Sequence, residues 1–158
     1  MSRWVTPRIA KSTAKHGPLV ALDCSIEHWR QISQATPEEL FRHWPDLSTE
    51  DCALCVWAAE QSRVEDDYLG CTCCPLAKYD HSCWEDNSAY YAAHVAWNNL
   101  RVHLGVRGLS IYVHWEPWQR ASAQMHRVLV MARDRYYEEH PEPEDLTIHY
   151  RRVRPRRK

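Results

Sequence analysis

Six of the seven cysteines of this 158-residue chain fall within one short window. The window runs from Asp51 to Trp84 and reads DCALCVWAAEQSRVEDDYLGCTCCPLAKYDHSCW. The sequence shows neither a membrane span nor a secretory signal, so we expect a cytoplasmic protein whose thiols stay reduced. Clustered cysteines in that compartment bind metal more often than they form disulfides. The window therefore predicts a metal-held module.

Two pairs of these cysteines have the C-x2-C spacing of a zinc knuckle, Cys52/Cys55 and Cys71/Cys74. Residues three apart on a helix share one side, so both thiols of the first pair can point the same way. Structural zinc takes four ligands, and Cys83 follows Cys74 nine positions later. The predicted ligands are Cys55, Cys71, Cys74 and Cys83, with Cys52 as the substitute for any one of them and Cys73 and His81 as further candidates.

Two alternatives to zinc remain open at this point. An iron–sulfur cluster is one, because Cys74-Pro75 matches the Cys-Pro that ends bacterial ferredoxin motifs, although the rest of that spacing is absent. The other is a set of buried free cysteines that act as small apolar side chains and hold no metal.

The window also resembles a group of small cysteine-rich proteins encoded by bacteriophages. The matching residues are Ala53-Leu54-Cys55, Cys71, Cys74-Pro75-Leu76, Cys83 and Tyr90-Tyr91, about forty residues in all or roughly a quarter of the chain. The resemblance implies a metal-stabilised accessory protein of a phage or mobile element. It brings no catalytic residue, and it does not cover the helical C-terminal half.

Helix signals dominate outside the window. Thr36 is placed as an N-cap, with Pro37 at the first helical position and Glu39 closing a capping box. Trp44-Pro45 ends that helix, and a further helix over about 49–64 would carry Cys52 and Cys55. We therefore predict a mainly α fold of four or five helices with a metal-stabilised cysteine-rich loop.

The C-terminal half contains two strong helical stripes. The first runs from Tyr90 to Leu104 behind a cap at Asn87 or Ser88. The second begins at Pro117 and has Trp118, Ala121, Met125, Val128, Ala132 and Tyr136 on one face. The apolar run 109–113 between them is expected to be extended.

Charge divides the chain into basic, acidic and basic stretches. Residues 1–22 hold four basic residues and no acid, the stretch from Glu38 to Asp86 holds twelve acids, and residues 151–158 hold six basic residues. We expect a basic N-terminal arm over 1–22 and a single helical domain over 23–140 that contains the metal-binding module at 51–84. An acidic linker and a basic tail follow over 141–158.

This charge distribution is compatible with two binding functions. In one, the basic arm and tail neutralise the phosphates of DNA or RNA without sequence preference. The residues assigned to that role are Arg151, Arg152, Arg154, Arg156, Arg157 and Lys158.

In the other, which follows the phage resemblance, the chain binds and inhibits a host complex that processes nucleic acid or serves in defence, as anti-CRISPR proteins do. The acidic stretch would mimic nucleic acid, and Trp115 and Trp118 would contact the partner. No metalloprotease, deaminase or phosphate-loop motif is present, so we assign no catalytic residue and expect binding without catalysis.

Overall fold

The computed structural model of the protein describes residues 4–45, 47–48, 50–62, 71–79, 81, 83, 85–104 and 110–141. Within these ranges the chain forms seven α-helices and no strand. They are α1 Pro7–Ala14, α2 Pro18–Gln34, α3 Pro37–His43, α4 Ala53–Ser62, α5 Pro75–Lys78, α6 Ala89–Arg101 and α7 Ser110–Glu139, with a 3-10 turn at Cys71–Cys73. The prediction of a mainly α fold is confirmed, with more helices than the four or five expected.

Local capping chemistry sets the limits of α3 as the sequence predicts. The Thr36 hydroxyl accepts a hydrogen bond from the Glu39 N–H at 3.2 Å, and the Glu39 carboxylate accepts one from the Thr36 N–H at 2.9 Å. The helix ends at Trp44, which adopts a left-handed conformation with φ of 41° and donates its N–H to the Leu40 carbonyl at 2.7 Å. The predicted capping box is therefore confirmed.

The N-terminal segment differs from the irregular arm that we expected over 1–22. Thr6 caps α1, and Ala10 and Ala14 on one face of that helix are buried against α2 and α4. Gly17, with φ of 101°, then turns the chain into α2. The described part of this segment is therefore helical and packed, and the expected arm is not what it forms. The small side chains of Ala10 and Ala14, four residues apart, let α1 pack closely on α2 and α4.

The core forms where α2 and α6 pack along the long helix α7. On α7 the side chains of Trp118, Met125, Val128 and Ala132 are buried, as the predicted stripe requires, and Leu129, which lies outside that stripe, is buried as well. The Trp118 ring lies 5.2 Å from the ring of Trp97 on α6. This contact joins the two C-terminal helices at the centre of the molecule.

Helix α7 begins earlier than the sequence indicates. It is helical from Ser110, so the extended run expected over 109–113 is wrong for residues 110–113, and Pro117 lies inside the helix. Pro117 has no N–H, so the carbonyl of Val113, four residues earlier, lacks its usual helical donor. Both residues are exposed, so water can donate a hydrogen bond to that carbonyl.

The described helices include none that is both long enough and apolar enough to cross a lipid bilayer. The acidic linker and basic tail expected over 141–158 lie outside the described residues, except for Pro141.

Candidate metal centre

The first turn of α4 carries the first predicted cysteine pair. Cys52 precedes the helix, and its carbonyl accepts a hydrogen bond from the Val56 N–H at 3.0 Å. It therefore occupies the N-cap position, and Cys55 is the third residue of the helix. The helix begins at Ala53, later than predicted, so the pair lies at its N-terminus, where three residues of separation keep both thiols on one side.

Helix α2 supplies a polar partner to this turn. The buried hydroxyl of Ser25 accepts a hydrogen bond from the Leu54 N–H at 3.1 Å and lies 3.5 Å from the Cys52 sulfur. Ser25 thus provides the capping oxygen for α4 from another helix. No local pattern in the sequence indicates this role, because the capped N–H is 29 positions away.

Cys55 is the centre of the thiol cluster, which we define as Cys52, Cys55, Cys71, Cys74 and Cys83. Its side chain is hydrogen-bonded with the side chains of Cys52 and Cys83, and it also interacts electrostatically with Cys74. Cys74 in turn interacts with Cys52 and Cys71. The structure therefore brings the four predicted ligands and the substitute Cys52 into one interacting group.

The second predicted pair forms a tight turn against α4. The N–H of Cys74 donates to the carbonyl of Cys71 at 3.0 Å, and the 3-10 turn between them packs on α4. Cys74 then precedes α5, with Pro75 at the first helical position. This local geometry accounts for the sequence CTCCPL as a knuckle followed by a helix start.

Burial and mutual contact raise the pKa of three thiols of the cluster, those of Cys52, Cys55 and Cys74. Burial raises the pKa of Cys74 to about 12, although the N–H groups of Leu76 and Ala77 favour its thiolate. The hydrogen bond with Cys55, together with burial, raises the pKa of Cys52 well above its usual value. At Cys55 the hydrogen bond from Cys52 favours the thiolate, but the contact with Cys83 and burial outweigh it, and its pKa is also well above normal.

A cysteine outside the window also approaches the cluster. Cys24 on α2 interacts with the Thr13 side chain and, electrostatically, with Cys52, and burial raises its pKa. Of the further candidates, Cys73 is partly exposed in the 3-10 turn, and the His81 backbone N–H donates to the Leu76 carbonyl at 2.8 Å. Cys24 and Ser25 are the neighbours of the cluster that sequence reasoning missed.

Among the described residues, no group of three or more His, Cys, Asp or Glu side chains is arranged to hold a metal ion. The donor set nevertheless suits zinc, because soft thiolates are its preferred ligands and all the cluster donors are cysteines.

The two tryptophans assigned to partner contact lie in different environments. Trp118 is fully buried, so its indole belongs to the core and presents no surface to a partner. Trp115 is partly buried and packs against the edge of that core. The exposed aromatic side chains include Phe41 and Trp44, which are 55% and 48% exposed with their rings 6.4 Å apart.

The remaining predicted site, the basic tail at 151–158, lies outside the described residues. Comparison of the chain with models of known protein families, with curated proteins and with solved structures finds no match in any of the three. What this protein does is therefore inferred from its own residues.

Proposed function

We propose that this chain is a zinc-stabilised helical protein that acts by binding a protein partner and carries out no chemical step. The observation that supports this most strongly is the convergence of thiols from the start of α4, from the knuckle before α5 and from Cys83 on the single side chain of Cys55. An all-cysteine donor set belongs to closed structural zinc sites, whereas catalytic sites keep an open position. The proposed ligands are Cys55, Cys71, Cys74 and Cys83.

Zinc at this position would tie the cysteine-rich segment to the helical core. The knuckle already packs on α4 at one end. At the other end, Lys78 and Tyr79 bind the Glu139 carboxylate near the end of α7, with the Tyr79 hydroxyl at 3.0 Å. A four-thiolate site would hold the segment between these two helices and would contribute directly to folding free energy.

The pair of Phe41 and Trp44, which we call the aromatic pair, is the surface we propose for partner contact. The Trp44 ring packs edge-on against the buried ring of Trp97 at 5.9 Å, so one side is anchored in the core while about half of the side chain remains exposed. Rigid, partly exposed aromatic side chains are the kind that dominate protein–protein binding energy. We propose the aromatic pair in place of Trp118 as the partner contact.

We further propose that the partner is a host protein complex that processes nucleic acid, as the phage resemblance implies. The acidic stretch contributes less to this than its composition indicates. Glu39 serves the capping box, Glu50 pairs with Lys11 at 3.1 Å, and Asp51 is buried. The exposed acids of the stretch in the described residues include Glu38, which lies on α3 with Phe41, so a partner with a basic groove could meet both.

Metal analysis of protein purified without added metal tests the zinc proposal. We expect about one zinc per chain, and we expect Cys55→Ser and Cys74→Ser to lose the metal and to unfold at lower temperature. Cys24→Ser, which changes a thiol outside the proposed ligand set, is the matched control and should retain zinc. Zinc-free wild-type protein would contradict the proposal, and iron with a visible absorption band would favour the iron–sulfur alternative.

Partner binding is tested by cross-linking and quantitative mass spectrometry in host extract. Phe41→Ala should deplete the specific partner, while Tyr112→Ala, which removes an exposed aromatic side chain on α7, should not. A fluorescence titration with labelled duplex DNA and RNA distinguishes the other binding function. Tight, salt-dependent binding of the free protein to either nucleic acid would contradict inhibition through a protein partner and favour the basic tail.

A further inference from the structure

We propose that two copies of this chain pair through the exposed face of α6, with the two helices antiparallel about a two-fold axis. Helix α6 contains no cysteine, so this pairing does not depend on the zinc proposal.

Helix α6 is apolar on two opposite faces. One face packs into the core around Trp97 and Leu100. The opposite face carries Tyr91, Val95 and the C-cap residue Val102, whose side chains are 42%, 41% and 66% exposed. A helix at the surface of a monomer normally turns charged or polar side chains to the water on that face. Apolar side chains on both faces are typical of a helix that is covered on both sides.

The exposed residues follow one another with the spacing of a helix–helix contact. Tyr91, Val95, Asn98 and Val102, which we call the α6 seam, are separated by four, three and four positions. This is the 3.5-residue period with which one helix packs along another. Asn98 is the polar member of the seam, and its side-chain nitrogen lies 3.2 Å from Nδ1 of His94 on the same helix. Part of its hydrogen-bonding capacity is therefore satisfied within α6 when the seam is covered.

The charges of α6 favour a second copy as the occupant of this face. Arg101 is the only charged residue within Ala89–Arg101, so two seams bring no like charges together at their centre. Glu85 and Asp86, both exposed, precede the N-terminal end of the helix, and Arg101 is exposed at the other end. In an antiparallel pair the acidic end of each helix lies towards the basic end of the other, whereas a parallel pair brings like charges side by side.

The size of the α6 seam sets the strength of the pairing. The seam spans about 16 Å, at a rise of about 1.5 Å per residue. One helix face of this length falls short of the roughly 800 Å² that each partner buries in a standard interface. We therefore expect a reversible dimer whose population rises with protein concentration.

Pairing through the α6 seam leaves the aromatic pair accessible. Trp44 packs on Trp97, which lies on the opposite face of α6. A dimer presents two aromatic pairs, so it binds a host complex with two equivalent sites more tightly than a monomer does. This consequence rests on the proposed function, while the pairing itself does not.

Sedimentation velocity of the full-length chain over a range of concentrations tests the pairing, with dithiothreitol present to prevent disulfides between copies. We expect the mass to rise towards twice the chain mass of 18.7 kDa. Val95→Glu and Val102→Glu each place a carboxylate on the seam of both copies and should keep the protein monomeric. Met131→Glu, the same type of change at a half-exposed apolar residue of α7, should dimerise as the wild type does. Circular dichroism establishes that each variant is folded.

A photoreactive benzoylphenylalanine in place of Tyr91 tests the antiparallel arrangement. With the two-fold axis near the middle of the seam, it should cross-link to the peptide of the other copy that contains Val102. A cross-link between the two copies at position 91 would overturn the antiparallel arrangement.

Two results would overturn pairing through α6. One is a wild-type chain that stays monomeric at every concentration, and the other is a pair of folded variants, Val95→Glu and Val102→Glu, that still dimerise. Binding to the host partner is measured separately with Phe41→Ala, so a loss of pairing and a loss of partner binding are distinguishable.

Discussion

The hydroxyl of Ser25 lies 3.5 Å from the sulfur of Cys52, although 27 positions separate the two residues. The same hydroxyl accepts the Leu54 N–H, so one side chain on α2 both caps α4 and contacts the thiol cluster. This contact links the helical core to the candidate metal centre.

Replacing Ser25 with alanine should destabilise the protein by about 1–2 kcal/mol, because it removes a helix cap and leaves a buried N–H without an acceptor. The free energy of unfolding from urea titration measures this effect. Ser12→Ala, on the exposed side of α1, is the control and should change stability by less than about 0.5 kcal/mol. Equal stabilities of the two variants would show that the α2 hydroxyl does not cap α4.

Acid should destabilise the fold through His28. This side chain is buried on α2, its Nδ1 has no hydrogen-bond partner among the described residues, and burial lowers its pKa to about 4. The unfolded chain, with a histidine pKa of about 6.5, therefore takes up the proton first as the pH falls. The stability contributed by neutral His28 is present above pH ~6.5 and declines towards pH ~4, with a loss of about 2 kcal/mol by pH 5.

Urea unfolding at pH 7.5 and pH 5 measures that loss. His28→Leu should flatten the pH dependence between these values, whereas His16→Gln, which alters an exposed histidine, should leave it unchanged. A pH dependence that persists undiminished in His28→Leu would assign the acid sensitivity to other groups.

Trp118→Ala should be among the most destabilising single substitutions on α7. The side chain is fully buried against Trp97, so its removal opens a large cavity and should reduce the free energy of unfolding by about 3–5 kcal/mol. Tyr112→Ala, 71% exposed on the same helix, should have little effect. Thermal or urea unfolding compares the stabilities of the two variants. A Trp118→Ala variant with nearly wild-type stability would make Trp118 a candidate for partner contact again.

Zinc binding should release protons at neutral pH. The pKa values of Cys55 and Cys74 are raised in the metal-free cluster, so both thiols must lose a proton to become ligands. Calorimetric titrations of metal-free protein with zinc in two buffers of different ionisation enthalpy should show release of at least two protons per zinc. Release of fewer than two would mean that one of these thiols is not a ligand.

Local signals in the sequence were sufficient for several elements. The capping box of Thr36 and Glu39 was predictable because its residues lie three positions apart. For α6 the sequence left Asn87 and Ser88 open as the cap, and the Ser88 hydroxyl accepts the Tyr91 N–H at 3.0 Å. The core face of α7 was also predictable, since a buried stripe repeats at the helical period. The C-x2-C spacings likewise marked Cys52, Cys55, Cys71 and Cys74, which are four of the five members of the thiol cluster.

The sequence by itself determined the helical class, the caps and the concentration of thiols in one segment, because these depend on near neighbours along the chain. Only the tertiary structure decided that α1 packs on α4, that the ring of Trp118 meets the ring of Trp97 on α6 and that Ser25 contacts Cys52. Each of these depends on a meeting between helices far apart in sequence, and a local pattern specifies which face of a helix is apolar but not which helix covers it.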